Sequence, residues 1–131
     1  MPPGTGDTQL TFSQEIKMDG AIIVSTPQEV ALLDVKRGIK MFDKLGVKIL
    51  GLVDNMSYFI ADDKKKYNIF GSGGVQKTAQ DFEKKFLGKI PINPDVGKFG
   101  DLGKPIVEEN PDHEISKIYI NFANQIKKAF I

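Results

Sequence analysis

The chain has no cysteine and no tryptophan, and its 131 residues include one histidine, His113. Without a thiol there is no disulfide and no thiolate ligand for zinc or an iron–sulfur cluster, and one imidazole does not make a metal site by itself. Charge of one sign is lacking too: eighteen Lys and Arg against seventeen Asp and Glu give a formal net charge of +1. That balance sets up no long-range field to draw in nucleic acid or an acidic membrane surface. Long apolar runs are also missing. No stretch approaches the roughly 20 residues that cross a bilayer, and the first residues lack the basic-then-apolar layout of a signal peptide. These absences predict a chain of the cytoplasm or an organelle matrix that binds neither nucleic acid nor membrane.

What is present is a core. With 40% hydrophobic residues, the chain is long enough for one domain and too short for two of ordinary size, so residues 1–131 read as a single domain or part of one. Gly20 to Ser57 organises it. Ala21-Ile22-Ile23-Val24 is a short β-branched run of the kind a strand buried on both faces requires, and Lys48 to Val53 is a second. Between them, Thr26-Pro27-Gln28-Glu29 has the form of a capping box with proline at the first helical position, where a missing N–H costs nothing. Ala31, Val35, Ile39 and Phe42 make an apolar stripe, Lys36, Lys40 and Lys44 stay wet, and Gly46 ends the helix. Such a βαβ unit is almost always right-handed, and ligands of such sheets sit beyond the carboxyl ends of the strands. Those ends are Ser25-Thr26-Pro27 and Asp54-Asn55-Met56-Ser57.

Before this unit, Pro2-Pro3-Gly4-Thr5-Gly6-Asp7 is a shaped loop. Its glycines would let backbone N–H groups approach a phosphate, and Thr5 or Asp7 would suit a metal-bound water; a plain surface turn fits the same residues. A short helix is expected to follow, through Ile16. After the unit, Tyr58 to Tyr67 reads as a protruding hairpin whose Lys64-Lys65-Lys66 run is a solvated tip. Gly71-Ser72-Gly73-Gly74-Val75-Gln76-Lys77-Thr78 resembles a phosphate loop but has Gln76 where that pattern needs glycine. It reads instead as a glycine-rich entry to a helix with the stripe Val75, Ala79, Phe82 and Phe86. Phe86 to Pro91 is a third strand stopped by proline, and Ile106-Val107 is too short for more than a packing contact. The last helix runs from about Asp112, with Ile115, Ile118, Phe122 and Ile126 on one face and His113 at the surface of its first turn.

Six blocks in order, MPPGTGD, GAIIVSTPQEVALLDVKRGIKMF, ILGLVDNMSYF, IFGSGG, FLGKIPI and GKPIVEENP, resemble the Mrp/ApbC family of P-loop ATPases, iron–sulfur cluster carriers related to MinD and ParA. The resemblance covers essentially the whole chain. It implies the C-terminal portion of a deviant-Walker-A α/β domain, part of a doubly wound, mostly parallel sheet with flanking helices. The implied function is ATP-dependent delivery of iron–sulfur clusters to apoproteins, with Mg and ATP as cofactors and a homodimer as the full-length form. Residue by residue, Pro3, Gly4, Thr5, Gly6 and Asp7 match the switch loop that senses the γ-phosphate. Asn55 matches the asparagine that reads the adenine edge, Pro91 the proline beside the base, and Thr26 and Pro27 the turn supporting the nucleotide pocket.

Two departures from the family pattern shape the expectation. The GKGGVGK[ST] phosphate loop is not in the sequence and is expected upstream of it, so this chain alone should bind ATP poorly and hydrolyse it negligibly. Many members carry C-x-x-C after the NMS motif, where this chain has Ala61 and Lys64, so cluster ligation by that route is excluded. No catalytic residue and no metal ligand is assigned. A MinD- or ParA-like positioning ATPase is the first alternative, although the last helix lacks the look of a membrane-surface helix. A non-enzymatic interaction domain on the same scaffold is the second.

Overall fold

The structure is a computed structural model that describes residues 15–130. Its elements follow in chain order as β1 (Ala21–Ser25), α1 (Glu29–Leu45), β2 (Ile49–Asn55), β3 (Phe59–Ile60), β4 (Lys66–Tyr67), α2 (Gly74–Asp81), β5 (Phe86–Ile90), α3 (Pro94–Asp101), α4 (Ile106–Glu109) and α5 (Glu114–Lys128). β1, β2 and β5 form one parallel sheet in the order β1-β2-β5, while β3 and β4 make a separate antiparallel hairpin.

Adjacent residues of β2 serve opposite faces, as the alternation of side chains along a strand dictates. Leu52 packs with Val35 and Ile39 of α1 and with Val75 and Ala79 of α2, whereas Val53 packs with Leu87, Ile90 and Phe122 of α5. Helices therefore cover both faces of a parallel sheet, the α/β layering implied by the sequence. Within the sheet the Leu87 side chain of β5 lies so close over Gly51 of β2 that a Cβ there would stand 2.4 Å from Leu87 Cγ, so only glycine lets Leu87 sit over β2.

α1 stops as expected. Gly46 takes a left-handed conformation (φ 72°) and returns its N–H to the carbonyls of Asp43 and Phe42, the geometry that glycine adopts without a Cβ penalty. Its start differs from the capping box. The helix begins at Glu29, the residue before it is Gln28, and no side chain caps the first turn. The Thr26 hydroxyl instead donates to Gln28 Oε1 at 3.2 Å, a local bond that competes with the cap.

Four further expectations change. β1 is buried on one face only: Ile22 and Val24 are 40% and 57% exposed, because α5 lies over β2 and β5 and β1 is the outer one of the three described strands. α2 ends at Asp81, so Phe82 caps it and Phe86 belongs to β5. Ile106 and Val107 open a four-residue helix in which Ile106 is buried. His113 lies outside the last helix as its N-cap, where its Nδ1 accepts the Ile115 N–H at 3.1 Å. That bond places the ring proton on Nε2, which donates to Asp95 Oδ2 at 3.1 Å and ties α5 to α3.

The Tyr58–Tyr67 stretch forms the expected hairpin. Its tip is ordered by Asp63, which accepts the Lys65 N–H at 2.9 Å and the Tyr67 hydroxyl at 2.8 Å, and Lys66 Nζ stands 4.3 Å from the Tyr58 ring centre. The short helix expected through Ile16 lies largely outside the described residues.

Candidate functional site

Because the three strands are parallel, their carboxyl ends gather at one edge of the sheet, where open α/β sheets bind ligands. The register sets Ser25 opposite Asp54 and Asn55 opposite Ile90. Beyond the strands the pairing continues: Ser57 N–H donates to the Ile90 carbonyl at 2.9 Å, and Ile92 N–H to the Tyr58 carbonyl at 2.7 Å. Asn55 and Pro91, distant in sequence, thus lie on adjacent strand ends. Asn55 is half-buried and Pro91 buried. Among the described residues the Asn55 amide has no side-chain partner, which leaves one donor pair and one acceptor for a ligand edge.

Thr26 and Pro27 occupy the neighbouring strand end. Thr26 is half-buried with its hydroxyl turned to Gln28, and Ser25 Oγ donates to the Thr26 carbonyl at 2.8 Å. Pro27 is buried beneath the glycine-rich loop. A Cβ at Gly71, where φ is +112°, would stand 3.2 Å from the Pro27 carbonyl oxygen, and one at Gly74 would stand 2.5 Å from Cδ1 of Leu32. These glycines are accounted for by packing onto the β1–α1 turn. The loop then enters α2, as its sequence suggests.

Two polar residues at this edge went unassigned in the sequence. Asp54 has no exposed surface and Ser57 is buried as well. Ser57 Oγ donates to Asp54 Oδ2 at 2.9 Å, and Asp54 Oδ1 has no hydrogen-bond partner. Burial pushes the Asp54 carboxyl above its ordinary value of 3.8, against the Ser57 hydrogen bond and the Lys89 charge, which pull it down. Between them Met56 holds φ +51°, in the left-handed region, uncommon for a residue with a side chain. The available signal was a carboxylate closing an otherwise apolar strand, Leu50 to Asp54, but its tie to Ser57 needed the turn geometry.

Pro3, Gly4, Thr5, Gly6 and Asp7 lie outside the described residues. Among the described residues there is no group of three or more His, Asp or Glu side chains that suits a metal ion, and no helix is long and apolar enough to cross a membrane. The described edge therefore gathers a partly open amide, a buried proline and a strand-end turn, and among the described residues no carboxylate set that suits a metal ion.

Residues 1–127 match the profile of the ParA family, described as NUBPL iron-transfer P-loop NTPases. The iron-sulfur cluster carrier protein of Aquifex aeolicus is 45% identical over 130 residues, which make up 98% of this chain and 36% of that protein. The iron-sulfur cluster transfer protein NUBPL of Mus musculus is 44% identical over 127 residues, 96% of this chain and 40% of that protein. A nucleotide-binding protein of Archaeoglobus fulgidus, solved in complex with ADP, superposes with a TM-score of 0.73 at 39% identity, over 86% of this chain and 46% of that one. The cell division ATPase MinD of Pyrococcus furiosus, at 22% identity, TM-score 0.68 and 85% and 43% coverage, shares the fold. The chain thus spans less than half the length of each of these relatives.

Proposed function

This chain belongs to the family of NUBPL iron-transfer P-loop NTPases, and on that premise we propose that it is the base-binding, C-terminal portion of an ATP-dependent iron–sulfur cluster carrier. The observation that carries the proposal is the register that sets Asn55 beside Ile90 and Pro91 at the carboxyl edge of the parallel sheet. The ADP complex of a 39% identical relative supports the same reading. Asn55 reads the purine edge, Pro91 flanks the base, and Thr26 and Pro27 form the neighbouring wall. Pro3 to Asp7 sense the γ-phosphate. The lysine-bearing phosphate loop and the Mg-binding groups belong to a segment outside this sequence. ATP bound across the two portions supplies a hydrolysable phosphate whose loss changes the carrier's shape.

The cluster is cargo, delivered to apoproteins. With no cysteine in the chain, its ligands come from a partner or from another part of the carrier. The whole carrier works as a homodimer in the cytoplasm or an organelle matrix, and this chain alone turns over no ATP, because backbone cradle and lysine provide most of the charge stabilisation in phosphoryl transfer.

Asn55→Ala in the whole carrier tests the reading. Losing a base-reading hydrogen bond, worth about 0.5–1.5 kcal/mol net, weakens ATP binding by roughly 2–10-fold and leaves GTP binding nearly unchanged. Equal losses for both nucleotides in equilibrium titrations would remove Asn55 from the base site.

A further inference from the structure

We infer that Asp54 is a positioning residue for Asn55: sealed at the end of β2 and bonded to the Ser57 hydroxyl, it holds the Asn55–Met56–Ser57 turn in the shape that presents the Asn55 amide to a base. The inference rests on the base-reading role proposed for Asn55.

The turn is clamped at both ends. On one side, Asp54 and Asn55 are fixed in register with Lys89 and Ile90 of β5. On the other, Ser57 is held twice, by its N–H on the Ile90 carbonyl and by its hydroxyl on Asp54 Oδ2, each at 2.9 Å. Between the clamps stands Met56 at φ +51°. A residue with a Cβ keeps that conformation only where its surroundings over-determine it. If the Asp54–Ser57 bond is removed, the most direct relaxation is Met56 returning to negative φ, which swings the peptide next to Asn55.

Burial favours the neutral form of the Asp54 carboxyl. The face it shares with Leu52 is apolar, lined by Val35 and Ile39 of α1 and by Val75 and Ala79 of α2. Thr78, also buried on α2, donates its hydroxyl to the Gly74 carbonyl at 2.8 Å. On β1 the register partner is Ser25, whose hydroxyl donates to the Thr26 carbonyl. On β5 the register partner is Lys89, the charged group that bears on Asp54. An ionised carboxylate here would have one hydrogen-bond donor, Ser57, and a charged Oδ1 with none. A dry, unpaired charge is not tolerated. Water or the Lys89 ammonium has to reach Oδ1, and either one opens the turn.

The test follows the Asn55 side-chain amide and the Ser57 backbone amide by NMR in the whole 131-residue chain. Spectra are taken as pH rises from about the Asp54 reference value upward, for wild type, Asp54→Asn and Ser57→Ala. The expected result is that both resonances move together in one titration in wild type. They stay flat in Asp54→Asn, at the low-pH wild-type positions, because an amide mimics the neutral acid. In Ser57→Ala the Asn55 amide is displaced at every pH. Adenosine and inosine then serve as uncharged probes, and adenosine binding in wild type weakens by roughly 3–10-fold, about one hydrogen bond's worth, as Asp54 ionises, while Asp54→Asn keeps the low-pH affinity. Asn55 resonances that ignore both the titration and Ser57→Ala overturn the inference. So does adenosine binding that shifts Asn55 yet is equal in all three proteins at every pH. If Asn55 follows Asp54 but neither nucleoside perturbs it, the clamp stands and the base-reading role falls.

Discussion

Gly51→Ala probes the seam that brings Asn55 and Pro91 together. The added methyl would sit 2.4 Å from Leu87 Cγ and 2.9 Å from both Leu87 Cδ atoms. The branch carbon does not move when χ2 turns, so β2 and β5 must separate or Leu87 must leave its χ1 well. Overpacking of this kind costs about 1–3 kcal/mol. Alanine returns roughly 0.4–1 kcal/mol by restricting the unfolded chain, and the expected net loss is about 1–2 kcal/mol. Leu87→Ala alone, at a residue only 6% exposed, should cost about 2–5 kcal/mol. In the double variant the clash is gone and the new methyl partly fills the cavity, so its loss should fall short of the sum by about 1–3 kcal/mol. Urea unfolding of the four proteins at constant m-value gives the cycle. Costs that add to within roughly 0.5 kcal/mol, the behaviour of independent sites, would mean that Gly51 and Leu87 do not meet.

Asp54→Asn should also change how stability depends on pH. The folded carboxyl is raised above 3.8, so the native state keeps a proton that the unfolded chain has released, and wild-type stability falls as pH climbs from about 3.8 through the folded value. The difference between Asp54→Asn and wild type therefore grows over that window in denaturant titrations and is constant above it; a pH-independent difference would refute the burial-driven shift. His113→Ala removes both the acceptor for Ile115 N–H and the Asp95 contact and should lower stability by about 1–2 kcal/mol. His113→Asn should recover the cap but not the Asp95 link, and a neutral alanine variant in the same unfolding assay would count against the staple. Anaerobic reconstitution of the chain with iron and sulfide should leave it colourless, since no thiolate is present; a cluster absorption spectrum that survives desalting would show ligands of another kind.

Much of the architecture is legible along the chain because it is periodic or punctuated. Val35, Ile39 and Phe42 announce the buried face of α1, Gly46 its end, and two β-branched runs the parallel pair. Six ordered blocks point to the family. What misled the one-dimensional reading was competition between local bonds and burial by distant elements. Thr26 had the pattern of a cap, yet its hydroxyl found Gln28. Ile22 and Val24 had the composition of a doubly buried strand, but their exposure depends on how far α5 reaches across the sheet.

The sequence by itself determined the central βαβ unit, the third strand, the long last helix and the exclusion of thiolate chemistry, since spacing and residue type suffice for those. Only the tertiary structure decided that Asn55 stands against Ile90, that His113 bridges two helices across eighteen positions, and that Asp54 is a sealed acid with one oxygen unpartnered. Each of these depends on which groups meet across chain separations that the sequence leaves open, and on how much water the surrounding layers keep out.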